Sequence, residues 1–232
     1  MSMECIVLAG GLGTRLRSAV ADKPKCMAPI GDKPFLYFLL QYLHQQGIRH
    51  VVLSLGYLSE QVIAWCRQTP LPLRVSFSVE QEPLGTGGGI LHALPLLEGD
   101  QLFIVNGDTF FDVDLLQMVR FNRNHPAQLT LALKPMQQFD RYGSIVLGTD
   151  NKIEAFREKQ YCDHGLINGG IYLTSASFLQ SLSLPVKFSF EQTVLEPQAA
   201  QGNLNGYTSD TYFIDIGIPE DYNKAIDHFS KI

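Results

Sequence analysis

Cys5-Ile6-Val7-Leu8-Ala9-Gly10-Gly11-Leu12-Gly13-Thr14-Arg15-Leu16-Arg17 runs an apolar stretch of strand length straight into a glycine-rich turn. Glycine accepts backbone angles that other residues resist, so successive N–H groups can converge on an anion. Arg15 follows at once, and Lys25 stands further on in Lys23-Pro24-Lys25. A strand, an amide nest and two cations make a seat for a nucleoside triphosphate. The backbone of Leu8, Gly10, Gly11, Leu12, Gly13 and Thr14 is the expected cradle. Arg15 is expected on the β/γ-phosphates and Lys25 on the α-phosphate. The loop is not a P-loop, because no Gly-Lys-Ser/Thr closes it. It is a poor dinucleotide fingerprint too, since Leu16 stands where a third glycine is wanted. Read alone, it is also compatible with a tight turn that binds nothing.

Outward from this stretch, the first half alternates strand-like and helix-like runs. Strands are expected near 4–9, 48–55, 73–79, 101–106 and 128–133, and helices near 34–46, 59–68, 87–97 and 112–124. Val51-Val52-Leu53 and Leu102-Phe103-Ile104-Val105 are unbroken apolar runs, as for parallel strands covered on both faces. Pro34 suits a first helical turn and Gly47 a helix stop. The alternation predicts an α/β fold with a Rossmann-like, doubly wound mixed sheet and helices on both faces. Ligands in such sheets sit beyond the carboxyl ends of the strands. After residue 135 the pattern becomes mixed: a hairpin over 144–156, a strand at 170–174, a helix at 190–200, short strands at 204–208 and 212–214, and a closing helix at 220–229. This part reads as a small β insert on the same domain. One domain over 1–232 is expected, with 1–134 for the nucleotide and 135–232 for a second substrate.

The 232-residue chain is 45% apolar and 18% charged, ordinary values for a globular protein. A net charge of −5 without runs of Lys or Arg argues against nucleic acid as a partner. No apolar stretch approaches the roughly 20 residues needed to span a bilayer, and the N-terminus lacks a signal-peptide pattern. Cys5, Cys26, Cys66 and Cys162 are widely spaced and read as reduced thiols of a cytoplasmic protein. The six histidines show no metal-binding or protease spacing.

Asn106-Gly107-Asp108 ends an apolar run, and Asp215 lies among apolar residues in Tyr212–Gly217. Each alone is compatible with a structural turn. An acid placed as Asp215 is costly to bury unpaired, and two carboxylates converging on Mg²⁺ account for both. Asp112 and Asp114 read as helix N-terminal residues. Glu80-Gln81-Glu82-Pro83-Leu84-Gly85-Thr86-Gly87-Gly88-Gly89 follows the third strand and lets a flat base approach closely. Guanine offers adjacent N1–H and N2–H donors that suit a carboxylate, whereas uracil and thymine suit an amide such as Gln81. A solvated acidic turn is the bland alternative.

The run GGLGTRLR…KPKCMAPIGDKPF, with EPLGTGGGI, NGDTFFDVD, RYGSI, LINGGIYL, KFSF and YFIDIGIPEDY, resembles the sugar-1-phosphate nucleotidyltransferases over essentially the whole chain. The resemblance implies a nucleotide-diphospho-sugar transferase fold and transfer of a nucleoside monophosphate from a triphosphate to a sugar 1-phosphate, with pyrophosphate released. It implies Mg²⁺ on Asp108 and Asp215, and Arg15, Lys25 and Asp108 as catalytic residues. It places Glu80 at the base, which favours GTP, with Gly85 and Thr86 beside it. It also places Gly143, Glu158, Lys159, Asn168 and Gly169 at the sugar phosphate. Phe188-Ser189-Phe190-Glu191 reads as a helix start with Ser189 as N-cap, and the Glu191 acid as part of that cap, with contact to the sugar as the alternative. Ser18-Ala19-Val20 stands where many members have Pro-Leu-Thr. Within the family the similarity is greatest to the branch that guanylylates D-glycero-α-D-manno-heptose 1-phosphate, with the mannose and N-acetylmuramate 1-phosphate branches as alternatives. Two other classes remain: a non-catalytic nucleotide-sugar sensor, and a glycosyltransferase using Asp112-Val113-Asp114. Monomer and homo-oligomer are both open.

Overall fold

The computed structural model describes residues 3–11, 16, 20 and 22–231. The chain opens with β1 (Met3–Leu8), then a small ribbon of β2 (Pro29–Ile30) and β3 (Lys33–Pro34) leads into α1 (Phe35–Gln45). β4 (Ile48–Leu55), α2 (Ser59–Gln68), β5 (Arg74–Val79), α3 (Gly85–Ala93) and β6 (Gln101–Asn106) follow as alternating units. β1, β4, β5 and β6 are parallel, in the spatial order β5-β4-β1-β6. The chain thus moves outward from β1, then returns to its other side. That reversal opens a crevice at the carboxyl ends of β1 and β6.

The second half is built differently. β7 (Thr109–Phe111), α4 (Leu115–Asn124), β8 (Leu129–Phe139), β9 (Ser144–Leu147) and β10 (Ile153–Phe156) precede the long β11 (Cys162–Ser175). β11 pairs antiparallel with β8, β9 and β6, and so welds this half to the parallel strands. After α5 (Ala176–Ser181) come a π turn (Glu191–Leu195), α6 (Glu196–Ala200), β12 (Leu204–Thr208), β13 (Phe213–Asp215) and α7 (Pro219–Phe229). β12 pairs parallel with β8, and β13 pairs antiparallel with β7.

Alternation along the central strands explains the layering. Cys5, Val7, Val51, Leu53, Phe103 and Val105 pack with α1, α2, α4 and α7. Their neighbours Ile6, Val52, Leu102 and Ile104 pack on the opposite face with α3, α5 and α6. Both faces are covered, so the mixed sheet with flanking helices matches the predicted fold class.

At the amino ends of the strands, far along β1 from the glycine turn, two buried polar groups meet. Glu4 and His50 are each 3% exposed. Glu4 Oε1 lies 2.6 Å from His50 Nδ1, and Oε2 accepts from the N–H groups of Glu98 at 2.9 Å and Gly99 at 2.5 Å. His50 Nε2 lies 2.9 Å from Ser76 Oγ, which ties in β5. Burial alone pushes the Glu4 carboxyl up, but the bonds from His50, Gly99 and Glu98 outweigh it and hold it below the usual carboxylate range.

Several boundaries differ from expectation for local reasons. Helix α4 starts at Leu115 because Asp114 is its N-cap, accepting from Gln117 N–H at 2.9 Å. Pro34 is extended (φ −77°, ψ 158°) and sits just ahead of α1. The strand expected at 170–174 begins at Cys162, and β7 and α5 carried no clear pattern. Cys5, Cys26, Cys66 and Cys162 are free thiols.

Candidate active site

Two cavities open beyond the carboxyl ends of the strands. The larger, about 610 Å³, runs from the end of β1 across β4 to the start of α3. Its floor is backbone. Ala9 N–H donates to Ser54 C=O at 2.8 Å, and Gly107 N–H to Leu8 C=O at 2.9 Å. A Cβ on Gly10 would lie 3.2 Å from Gly56 N, and one on Gly107 would lie 2.7 Å from Leu8 O. These three chain segments approach closely only because side chains are missing. Leu8, Gly10, Gly11, Lys25, Glu80, Gly85, Thr86 and Asp108, all expected from sequence, line this cavity. Leu12, Gly13, Thr14 and Arg15 lie outside the described residues.

Glu80 follows β5. Its Oε2 accepts from Leu84 N–H at 3.0 Å, and Oε1 lies 3.5 Å from Ser54 Oγ. A Cβ on Gly89 would fall 2.6 Å from Glu80 Oε1, so this glycine makes room for the carboxylate. Oε1 keeps only a long bond and can accept from a ligand. The glycine run itself serves a different end from the one expected. Only Gly85 and Thr86 reach the cavity. Gly87 and Gly88 pack against the segment Val186–Phe188, where a Cβ would collide with the Phe188 ring and the Val186 carbonyl. Phe188 N–H donates to Leu84 C=O and Gly87 N–H to Phe188 C=O, both at 3.0 Å, and Phe190 N–H donates to Thr86 Oγ1 at 2.9 Å. The late segment is therefore strapped onto the start of α3.

Asp108 and Asp215 converge as the sequence suggested. The β7–β13 ribbon pairs Thr109 with Asp215, and Ile216 N–H donates to Asp108 C=O at 3.0 Å. The Lys25 ammonium lies between the two acids. It forms an ion pair with Asp108 and sits 3.4 Å from Asp215 Oδ1. Burial, then the Asp108 charge, raise the Asp215 carboxyl above its usual range, while Lys25 and the Gly217 N–H (2.7 Å) work the other way. The donor set fits a hard divalent cation: oxygen only, anionic and drawn to one positive centre. Among the described residues no group of three or more His, Cys, Asp or Glu gathers as a metal site. The protein offers two carboxylates, and Mg²⁺ commonly completes its shell with phosphate and water.

The smaller cavity, about 220 Å³, shares Asn106 and Glu191 with the larger. Gly143, Lys159 and Asn168 line it as expected, with Arg141 and Tyr142 from the same Arg141-Tyr142-Gly143 stretch and the metal candidate Asp215 beside them. Arg141 forms an ion pair with buried Asp221 of α7, which also takes Lys224 at 3.1 Å. Asn168 is largely committed: its Oδ1 accepts from Gly170 N–H at 3.0 Å, and its Nδ2 donates to Tyr172 Oη at 2.8 Å. Two expected residues are not in the lining. Glu158 is exposed beside Lys159, and Gly169 packs under the Phe111 ring. Glu191 is the reverse case. Ser189 Oγ accepts from Gln192 N–H at 3.4 Å, so the cap is Ser189's, and Glu191 faces both cavities. Only an acid just after an N-cap serine marked it in the sequence. Asp112 and Asp114 line neither of these two cavities, and Asp114 is spent as the N-cap of α4.

The nucleotidyl transferase family matches residues 4–231. The chain is 48% identical to D-glycero-alpha-D-manno-heptose 1-phosphate guanylyltransferase of Aneurinibacillus thermoaerophilus, covering 96% of each protein. It is 43% identical to the protein of the same name from Campylobacter jejuni, covering 95% of this chain and 97% of that one. Crystal structures of HddC from Yersinia pseudotuberculosis superpose with TM-scores of 0.88 and, for the complex with GMP-PN, 0.87. Both are 37% identical, over 97% of this chain and 99% of the other.

Proposed function

The chain belongs to the nucleotidyl transferase family, and from that premise we propose that it transfers GMP from GTP to D-glycero-α-D-manno-heptose 1-phosphate, releasing pyrophosphate. One observation carries the reading: the two cavities share a wall, and Lys25, Asp108 and Asp215 meet at the junction. The names of the relatives supply the base and the sugar.

In this reading GTP occupies the larger cavity with guanine against Glu80, whose carboxylate takes the adjacent N–H donors of the base. The strand-end backbone at Gly10, Gly11 and Gly107 lets phosphates approach without side-chain hindrance. The sugar 1-phosphate occupies the smaller cavity, its phosphate drawn by Lys159 and Arg141. An acceptor phosphate oxygen forms a bond to the α-phosphorus, and the bond to pyrophosphate breaks on the opposite side. That oxygen is already anionic, so no general base is needed. Catalysis rests on placing two polyanions together and offsetting their repulsion. Lys25, only 13% exposed, supplies fixed positive charge at the junction. Asp108 and Asp215 would hold Mg²⁺, which when bound adds charge against the phosphates.

Residues 1–134 carry the nucleotide in this scheme and 135–232 the acceptor, within one domain. No helix among the described residues is long and apolar enough to cross a membrane, and we place the reaction in the cytoplasm.

Pyrophosphate release across GTP, UTP, CTP, dTTP and ATP against heptose, mannose, glucose and N-acetylmuramic acid 1-phosphates tests the reading. A dominant signal with GTP and heptose 1-phosphate, abolished by EDTA and restored by Mg²⁺, is expected. A dominant UTP signal overturns the base assignment. Tight nucleotide-sugar binding without release from any pair makes the protein a sensor.

A further inference from the structure

Glu191 stands where the two cavities meet, at an irregularity in the chain. Across the π turn Glu191–Leu195 the Glu196 N–H donates back to the Glu191 carbonyl. Pro197 follows, without an N–H for the carbonyl four residues earlier and with a ring that crowds it. The wider turn accommodates this and re-aims Glu191 relative to α6; π turns of this kind recur at functional sites. The preceding backbone is pinned, since Phe190 N–H donates to Thr86 Oγ1 at 2.9 Å and Thr193 N–H to Ser189 C=O at 3.0 Å.

A carboxylate in a site for two polyanions repels both unless it meets donors. Guanine's donors already face Glu80, so those left are sugar hydroxyls. Two other acceptors around the smaller cavity already have partners, Asp215 Oδ1 in Lys25 and Gly217 N–H and Asn168 Oδ1 in Gly170 N–H, whereas the Glu191 carboxylate takes one long bond among the described residues, from Ser189 Oγ to Oε2 at 3.4 Å. Glu191 and Asn168 line that cavity together, and burial, then the Glu191 charge, push the Tyr172 hydroxyl up. We infer that Glu191 is the residue that reads the hydroxyls of the acceptor sugar and so determines which sugar 1-phosphate is used. The inference rests on the proposed nucleotidyl transfer and adds Glu191 to the sugar side of the site.

Steady-state kinetics of Glu191→Gln and Glu191→Ala test it, with KM measured separately for GTP and the sugar 1-phosphate. Losing a charge-assisted hydrogen bond should raise the sugar KM roughly tenfold or more in the alanine variant and less in the glutamine variant. The GTP KM should stay within about twofold. With a set of monodeoxy sugar 1-phosphates, wild type and alanine variant should converge on the one lacking the hydroxyl that is read, which a merely structural role would not produce. A rise in the GTP KM instead assigns Glu191 to the ribose and overturns the inference, as do unchanged constants or an equal loss with every deoxy sugar. If wild type prefers another sugar 1-phosphate, heptose falls as the substrate while the same comparison, made with that sugar, still decides Glu191. Absence of turnover by wild type with any sugar 1-phosphate overturns both.

Discussion

The parallel strands at residues 3–106 and the antiparallel part built on β11 meet at one reaction centre, yet they present themselves to ligands in opposite ways. In the parallel part nearly every strand side chain is spent on the two faces of the core. What remains for a ligand is backbone at Gly10, Gly56 and Gly107 and side chains carried off the strands, Lys25 and Glu80 among them. In the antiparallel part, long strands and loops extend beyond the core and project Arg141, Lys159, Asn168 and Glu191. In the proposed reading the nucleotide phosphates, alike in every substrate, meet backbone and the Lys25 ammonium. The parts of a substrate that differ are left to side chains, which can change one at a time without disturbing the sheet.

Substitutions can sharpen that contrast or break it. The junction serves both parts, so Asp108→Ala or Asp215→Ala should cost most: about a 10³-fold loss in kcat, with the thermal melt shifted by only a few degrees. Near-normal turnover of the Asp108 variant would sink the metal assignment. Next comes a residue that touches no ligand. Glu4→Ala leaves His50 and two N–H groups unmatched, and should lower unfolding free energy by about 3 kcal/mol in denaturant titrations. Its pH dependence has a definite sign. Because the folded Glu4 carboxyl titrates below its unfolded value, its contribution is full above the ordinary carboxylate range and is lost as pH falls through the folded value. A wild-type protein that loses this increment near neutral pH would contradict it. Glu80→Gln should lower kcat/KM for GTP by about 100-fold and narrow the margin over UTP; competition between the two nucleotides reads this directly. The smallest effect is expected at Asp221→Asn, which loosens Arg141. The sugar 1-phosphate KM should rise about fivefold with the GTP KM steady, and equal changes in both would blur the division between the two parts.

The same division decided what could be read in advance. The unbroken apolar runs at 51–53 and 102–105 marked the strands at 48–55 and 101–106, because both faces of those strands are buried. β11 was visible only over its apolar end. Its first half, Cys162–Gly169, is polar and glycine-rich, and it becomes a strand through pairing with β8 and β9, which no local pattern encodes. The junction acids were legible as anomalies, charged groups at the ends of apolar runs. Glu191 was legible only as an alternative, since an acid beside an N-cap serine fits a helix start equally well, and the π turn and the shared wall set it apart. The glycine run at 85–89 invited a ligand reading, but most of it accommodates protein from a hundred residues away.

That strap also dictates an order of assembly. A chain emerging from the ribosome has made β1, β4, β5 and β6 by Asn106, yet the glycine face of α3 has no cover until Val186–Phe188 arrive. The nucleotide cavity, encoded first, is thus finished last, and by the same stretch of chain that completes the seat for the acceptor. A product truncated before Val186 would hold every residue that lines the larger cavity except Glu191, with the glycine face of α3 left bare.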